Sequence, residues 1–485
     1  MKNILYDVIK VFITNFVLLI VGIGSGFLLP KYLSINDYSI QKTYMLLISI
    51  INITNLGLLD GIYIKYGGKN IENLSKKTLS SEFYFLLFQQ ITITIMFIAL
   101  FTIFKLNLLY YLVIITIIPI NVFTFYSYLY QSTGLFSKYS FLHLTRTIFN
   151  FIPMILLFIF FANNNVYFLI IVQLAMFYSI IIIMFLSNYR YLRYFKVKKM
   201  FNKSKIILMK VGIFILIGNF VSILIYSMDR WFIKLFFLNS EFAMYSFAVS
   251  ILSMITLLMT SVSMTFYPYF AKNKKNFLWF NLLKKIVLII GIIGIGSYFI
   301  LKGIVEWYLP DYKRSLEIVI ILFASLPLVS VINSIYINIY KAFKKERIYF
   351  YTVFLMLVVS VVTNGIALVL FHTMEAIAIA TTVTFFVWYV FSSFYKKFLR
   401  IDLREYLLIA GYIMTFYMSY LVGRYFEGNM GMGYVVGSVV GMITYYVIIL
   451  VMIHVYDRGF YGVMWKLGKE HLMTLLISKK HGKMQ

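Results

Sequence analysis

Long runs of apolar residues that contain no Asp, Glu, Lys or Arg follow one another along most of the chain. Val11–Pro30, Leu106–Ser137, Thr147–Tyr189 and Gly428–Tyr456 are examples of such runs. A transmembrane helix needs about 20 mostly apolar residues, because the hydrocarbon core of a bilayer is about 30 Å thick. Hydrophobic residues make up 62% of the chain, so the pattern predicts an all-α polytopic membrane protein.

The apolar runs predict about fourteen transmembrane helices. The run Thr147–Tyr189 is too long for one span and divides at Ala162–Asn165, because asparagine favours turns over helix interiors. Prolines within spans, such as Pro327, are expected to kink their helices. The predicted spans are 8–30, 40–64, 80–104, 107–131, 142–162, 165–188, 206–234, 242–270, 284–304, 316–341, 348–371, 374–395, 405–424 and 432–455.

Basic residues concentrate on one side of these spans. If the N-terminus is cytoplasmic, the cytoplasmic segments contain 35 of the 44 Lys and Arg residues and the external segments contain 9. Acidic residues show no such bias, with 8 on each side and Asp60 left within a span. The positive-inside rule therefore predicts a multi-pass membrane protein with both termini in the cytoplasm.

The net charge of +27 has its explanation in these cytoplasmic connections. They are too short to form a separate basic domain, so no nucleic-acid partner is expected. The chain contains no cysteine, its five histidines lack metal-ligand spacing, and the glycines Gly22, Gly24 and Gly26 lie within a predicted helix. We therefore expect no metal, no cofactor and no nucleotide site.

A short pattern recurs in three predicted external connections. An aromatic residue and a leucine are followed by an acid and a second aromatic residue at Tyr32–Tyr38, Phe237–Phe242 and Tyr308–Tyr312. The first two copies lie six helices apart, which indicates two parallel six-helix lobes. The predicted organisation is an N-lobe of helices 1–6 (residues 1–200), a C-lobe of helices 7–12 (201–400), helices 13–14 (401–456) and a basic cytoplasmic tail (457–485).

The tail contains six basic residues interleaved with apolar ones. This pattern is typical of an amphipathic helix on anionic membrane lipids, with plain disorder as the alternative.

The stretch Tyr226–Ala248 resembles a signature of bacterial polysaccharide flippases. It contains an Asp229-Arg230 pair near the end of helix 7, an apolar run, and a Tyr245-Ser246-x-Ala248 start to helix 8. Leu56-Gly57-Leu58 is similar to the Leu-Gly-Leu end of helix 2 in that family. The stretch departs from the signature at Phe242–Met244, where a glycine before the aromatic residue is more usual.

This resemblance implies a member of the O-antigen and capsule repeat-unit flippases in the multidrug/oligosaccharidyl-lipid/polysaccharide exporter superfamily. Such proteins are transporters, not enzymes, and move undecaprenyl-pyrophosphate-linked oligosaccharides across the membrane by alternating access between two lobes. A polysaccharide polymerase is the partner that this role implies. A lipid II flippase, a multidrug antiporter and a membrane-embedded polysaccharide polymerase are the alternatives.

Polar residues within the spans are the candidate site residues, because ionisable groups at membrane depth usually face a cavity or a partner. A lipid-linked sugar pyrophosphate needs cations for its phosphates and amides for its sugars. Structural ion pairs, such as Asp60 with Lys65, and ordinary hydrogen bonds between helices are the alternative interpretation. The substrate-binding candidates are Lys65, Arg146, Arg230, Lys234, Asn52, Asn55, Asn150, Asn219 and Asn333, and the ion-coupling or gating candidates are Asp60 and Asp229.

Overall fold

A computed structural model describes residues 17–18, 20–156, 158, 165–194, 202–272, 277–343, 345–429 and 433–456. These residues are almost entirely helical and include no β-strand. The predicted tail 457–485 lies outside them.

The helices of the N-terminal part follow the predicted spans. They are α1 (20–32), α2 (Ile35–Ser49), α3 (Leu58–Tyr66), α4 (Lys76–Ile103), α5 (Leu108–Ser132), α6 (Phe136–Ile155) and α7 (Val166–Ser187).

The C-terminal part has the same long apolar helices. They are α8 (Lys203–Ile225), α9 (Met228–Phe236), α10 (Asn239–Lys272), α11 (Phe277–Ile295), α12 (Ser297–Tyr308), α13 (Ser315–Phe323), α14 (Leu326–Tyr340), α15 (Glu346–Leu370), α16 (Met374–Ser393), α17 (Leu403–Asn429) and α18 (Gly433–Tyr456).

The prediction of an all-α polytopic fold is confirmed. Within the described ranges, nine helices are long and apolar enough to cross a membrane, and two bent pairs raise the number to eleven. The three other predicted spans overlap α1, α6 and α10. Each of these helices borders residues outside the described ranges or includes residues whose side chains are not described. The division into lobes 1–200 and 201–400 stays a prediction.

Two predicted spans are bent and not straight. The span predicted at 40–64 turns by 65° between α2 and α3, where Leu56 and Gly57 have left-handed φ angles of 51° and 83°. Glycine adopts that conformation without steric cost. The span predicted at 316–341 turns by 51° between α13 and α14, and Pro327 lies in the first turn of α14. The expected proline kink is therefore present.

Aromatic residues join the two halves of the chain at the predicted external end. The Tyr38 ring on α2 lies 6.5 Å from the Phe247 ring on α10 and 5.5 Å from the Tyr312 ring. The Lys31 ammonium at the end of α1 donates to the Tyr308 carbonyl at 3.1 Å. These contacts close that end of the protein.

A second contact between the halves forms where three glycines let α3 and α8 approach at backbone distance. A Cβ on Gly212 would lie 1.9 Å from the Gly57 carbonyl oxygen, and one on Gly61 would lie 2.2 Å from the Leu208 carbonyl oxygen. Real side chains never come that close to a backbone. Glycine at these positions is therefore a requirement of the packing, as in other close contacts between membrane helices.

Ion pairs attach α17 to α11 and α12. At one end, the Lys284 ammonium on α11 lies 2.7 Å from a Glu405 carboxylate oxygen, and both side chains are buried. At the other end, Lys302 on α12 pairs with Glu427. In addition, the Tyr445 hydroxyl on α18 donates to the Ile292 carbonyl at 2.7 Å. Helices α17 and α18 are thus held along their length against α11 and α12.

Gly212→Ala is expected to destabilise the protein, because the new methyl group would force α3 and α8 apart. Overpacking of this kind costs about 1–3 kcal/mol, which should lower the midpoint of thermal unfolding in detergent. Gly365→Ala on α15 is the matched control, because no atom lies within 4 Å of the Cβ that it would add. Equal unfolding midpoints for the two variants would contradict the close contact.

The predicted orientation can be checked with single cysteines, since the chain has none of its own. Ser75 precedes α4 and Asn107 precedes α5, and both are exposed. In intact cells, a membrane-impermeant maleimide should label Asn107→Cys but not Ser75→Cys. After the cells are permeabilised, both should react. Labelling of Ser75→Cys in intact cells would reverse the orientation.

Candidate functional site

A lysine on α2 connects the two halves of the chain. The Lys42 ammonium donates to the Ser250 hydroxyl on α10 at 2.7 Å and lies 5.0 Å from the centre of the Tyr38 ring. Within the described residues it has no carboxylate partner. The sequence analysis did not include Lys42 among the candidate site residues, because its charge was counted with the external connection between helices 1 and 2. Its position inside the predicted span 40–64 was the available signal.

Arg230 on α9 is a second cation in the neighbourhood of Lys42. Its guanidinium donates to the Tyr226 carbonyl at 2.8 Å, and its Nε lies 3.9 Å from Asp229 Oδ1. At 3.9 Å the carboxylate makes only a loose ion pair. The side chain keeps 28% of its surface exposed, so further donors can reach a ligand.

Arg146 on α6 lies between two aromatic rings. Its guanidinium carbon is 4.7 Å from the centre of Phe123 on α5 and 4.7 Å from that of Phe177 on α7. The faces of aromatic rings attract cations and stabilise the buried charge. Among the residues that the structure describes, no acceptor takes its N–H groups. Asn150 follows four residues later on the same helical face and is half-buried.

Asp60 lies at the contact between α3 and α8. It is 4% exposed, and its Oδ1 accepts a hydrogen bond from the Asn219 amide at 3.4 Å. The structure therefore brings together two of the predicted site residues, one from each half. No cation within the described ranges forms an ion pair with this carboxylate.

Lys65 does not pair with Asp60, as the sequence had suggested. It forms an ion pair with Glu82 on α4, and the Tyr66 hydroxyl donates to the same carboxylate at 2.7 Å. Five residues separate Asp60 from Lys65, which is more than one helical turn, so the two side chains diverge. Lys65 is therefore engaged within the N-terminal half.

Two more charged candidates hold α9 to α10. Buried Asp229 accepts from the backbone N–H of Arg230 at 2.7 Å and from the Tyr245 hydroxyl at 3.0 Å. The Lys234 ammonium donates to Asn239 Oδ1 at 2.9 Å. These contacts favour a structural role for both side chains.

The remaining amide candidates also bond within the protein. The side-chain Oδ1 of Asn55 accepts from the Gly57 N–H at 2.9 Å and supports the bend between α2 and α3. Asn52 accepts from the Thr124 hydroxyl at 3.3 Å, and Asn333 accepts from the Tyr226 hydroxyl at 2.7 Å. These three amides are therefore engaged within the protein, whereas no described residue accepts from Arg146 or bonds the Asn150 side chain.

The described part of the chain contains no group of three or more His, Asp or Glu residues arranged to hold a metal ion.

The fold is similar to that of solved membrane transporters. One is a structure of the lipid II flippase MurJ in an inward closed conformation, with 18% sequence identity and a TM-score of 0.63. The match covers 92% of this chain and 99% of that chain. A crystal structure of a mutant MATE transporter is 13% identical, with a TM-score of 0.51 over 84% of this chain and 97% of that chain. No family model and no curated protein matches the sequence. The chain is therefore a multi-pass membrane protein with the all-helical fold of these flippases and transporters.

Proposed function

We propose that this protein is a flippase of a bacterial cytoplasmic membrane that moves undecaprenyl-pyrophosphate-linked oligosaccharide repeat units for capsule, O-antigen or exopolysaccharide synthesis. The observation on which this rests is a set of three cations on α2, α6 and α9. Among the described residues Lys42 and Arg146 have no carboxylate partner, and Arg230 has only a loose ion pair with Asp229 at 3.9 Å. A cation at membrane depth is costly unless it has a functional partner. An anionic substrate supplies that partner.

Arg146 is suited to a phosphate ligand. The rings of Phe123 and Phe177 lie beside its guanidinium, and no acceptor in the described part of the chain takes its N–H groups. A guanidinium binds two phosphate oxygens through parallel hydrogen bonds, and a lysine cannot reproduce that geometry. Asn150 on the same face offers an amide to a sugar hydroxyl or to a phosphate oxygen.

Lys42 and Arg230 form a second cationic pair at the junction of the halves. Both side chains are cationic, so an anion bound between them would be attracted to both. Because Lys42 also bonds Ser250 on α10, a phosphate that captures the ammonium would weaken a contact that holds the halves together. Substrate binding and opening would then be coupled.

Alternating access requires the contacts between the halves to break at one end at a time. The structure contains such contacts at two places, the aromatic group of Tyr38, Phe247 and Tyr312 and the glycine contact of α3 with α8. Asp60 and Asn219 lie at the second place. We therefore keep Asp60 as the candidate for ion coupling or gating, since its hydrogen-bond partner would leave when α3 and α8 separate.

A lipid II flippase is the second candidate, because MurJ has the same fold over nearly the whole chain. Lipid II and lipid-linked repeat units share a polyprenyl pyrophosphate, which the three cations would bind equally. The two candidate substrates differ in the glycan that the pyrophosphate bears. A polysaccharide polymerase would be a partner of the repeat-unit flippase and not of the lipid II flippase.

A clean deletion of the gene, followed by assay of surface polysaccharide and of undecaprenyl-linked intermediates, tests the proposal. Loss of surface polysaccharide with completed repeat units on the cytoplasmic leaflet is the expected result. Accumulation of lipid II with normal polysaccharide would select the second candidate. Single repeat units exposed outside would indicate a polymerase, and an unchanged glycan would overturn the proposal.

Complementation of that deletion with variants tests the site. Arg146→Gln, Asp60→Asn and Arg230→Ala are expected to reduce surface polysaccharide while the protein stays in the membrane. Loss of one hydrogen-bonded charge costs about 1.5–3 kcal/mol, which corresponds to roughly tenfold to a hundredfold in affinity. Lys105→Gln, on an exposed connection, is the charge-matched control. Wild-type polysaccharide levels in all three site variants would refute the assignment.

A further inference from the structure

A pocket of about 480 Å³ lies at the ends of α14 and α16, away from the cations discussed above. Phe343, Lys396, Lys397 and Phe398 line it. Phe343 follows α14, and the other three belong to the connection between α16 and α17. Two aromatic rings and two ammonium groups therefore surround one cavity.

Buried residues contact the side chains that line this pocket and hold them in place. The ring of Phe280, which has no exposed surface, lies 6.4 Å from the Phe343 ring and 5.6 Å from the Phe398 ring. The buried Lys284 ammonium donates to the Leu399 carbonyl at 3.0 Å. The connection from α16 to α17 is therefore held in place, and its two lysines are presented in a defined geometry.

The lysines of the pocket have no anionic partner in the described residues. The Lys396 ammonium lies 5.0 Å from the Phe343 ring and 5.2 Å from the Tyr395 ring, and Lys397 is exposed. The two acids that follow in sequence are already engaged. Asp402 accepts from the backbone N–H of Glu405 at 2.8 Å, and Glu405 pairs with Lys284. The pocket thus has an unbalanced positive charge.

The position of the pocket places it at the surface of the membrane. Helix α16 ends at Ser393, three residues before Lys396, so the ammonium groups lie at the boundary of an apolar span. Phe391, in the last turn of α16, and Phe394, two residues before Lys396, are 43% and 61% exposed. Apolar side chains exposed beside a basic pocket match a molecule with a charged head and a hydrocarbon tail.

We propose that this pocket binds the phosphate headgroup of an anionic phospholipid, with its acyl chain along Phe391 and Phe394. The lysines neutralise the phosphate, and the two aromatic walls contact the glycerol region. In the predicted orientation the lipid belongs to the cytoplasmic leaflet. This site is independent of the proposed flipping of a lipid-linked glycan, since it uses none of the residues assigned to that substrate.

Native mass spectrometry of the purified full chain tests this proposal. The protein is titrated with phosphatidylglycerol or with uncharged phosphatidylcholine, and bound lipid is counted. We expect one tight phosphatidylglycerol in the wild-type protein. In Lys396→Gln/Lys397→Gln its apparent affinity should fall roughly tenfold or more. Phosphatidylcholine should show no such difference.

Lys203→Gln/Lys210→Gln is the control, because it removes the same charge from two exposed lysines of α8 on the same predicted side. Phe343→Ala, which removes a wall without changing charge, should also weaken binding. Unfolding midpoints in neutral detergent verify that each variant is folded. Equal phosphatidylglycerol binding by the wild type and the pocket variants would overturn the proposal. Displacement of the lipid by millimolar inorganic phosphate would also overturn it, since it would show a site for free phosphate.

Discussion

Polar groups inside a bilayer have no water to bond, and this constraint determines how the helices of this protein are joined. The bend at Leu56 and Gly57 exposes backbone groups, and the Asn55 side chain satisfies one of them. Charged side chains in the spans are likewise matched within the protein, as Lys284 is by Glu405. Among the described residues, Arg146 between two aromatic rings is the clearest charged side chain without such a partner.

The sequence predicted the helices well, because a run of about 20 apolar residues is a strong and local signal. The bend between α2 and α3 was not predicted, since a single glycine such as Gly57 is also compatible with a straight, closely packed helix. The close contact of Gly61 and Gly212 joins residues that lie far apart in sequence. No local pattern encodes such a contact.

Part of the candidate site could be predicted because an ionisable residue within an apolar run is also a local signal. Residue type identified Arg146 and Asp60 as unusual within a span, and the structure places both next to neighbouring helices without a partner of opposite charge among the described residues. Residue type could not choose between partners, so Lys65 was matched with its neighbour in sequence and not with Glu82. Lys42 was missed because a lysine near a span boundary has the same pattern as a topological marker.

The ion pairs that attach α17 to α11 and α12 have a consequence for movement. Removal of one partner from a buried pair costs about 3–5 kcal/mol, far more than a thermal fluctuation supplies. The buried pair of Lys284 with Glu405 and the partly exposed pair of Lys302 with Glu427 act at opposite ends of the same helix. Helices α17 and α18 are therefore expected to move with α11 and α12 in any conformational change. A body that includes all four helices has a larger contact with lipid, and a hinge is expected elsewhere in the chain.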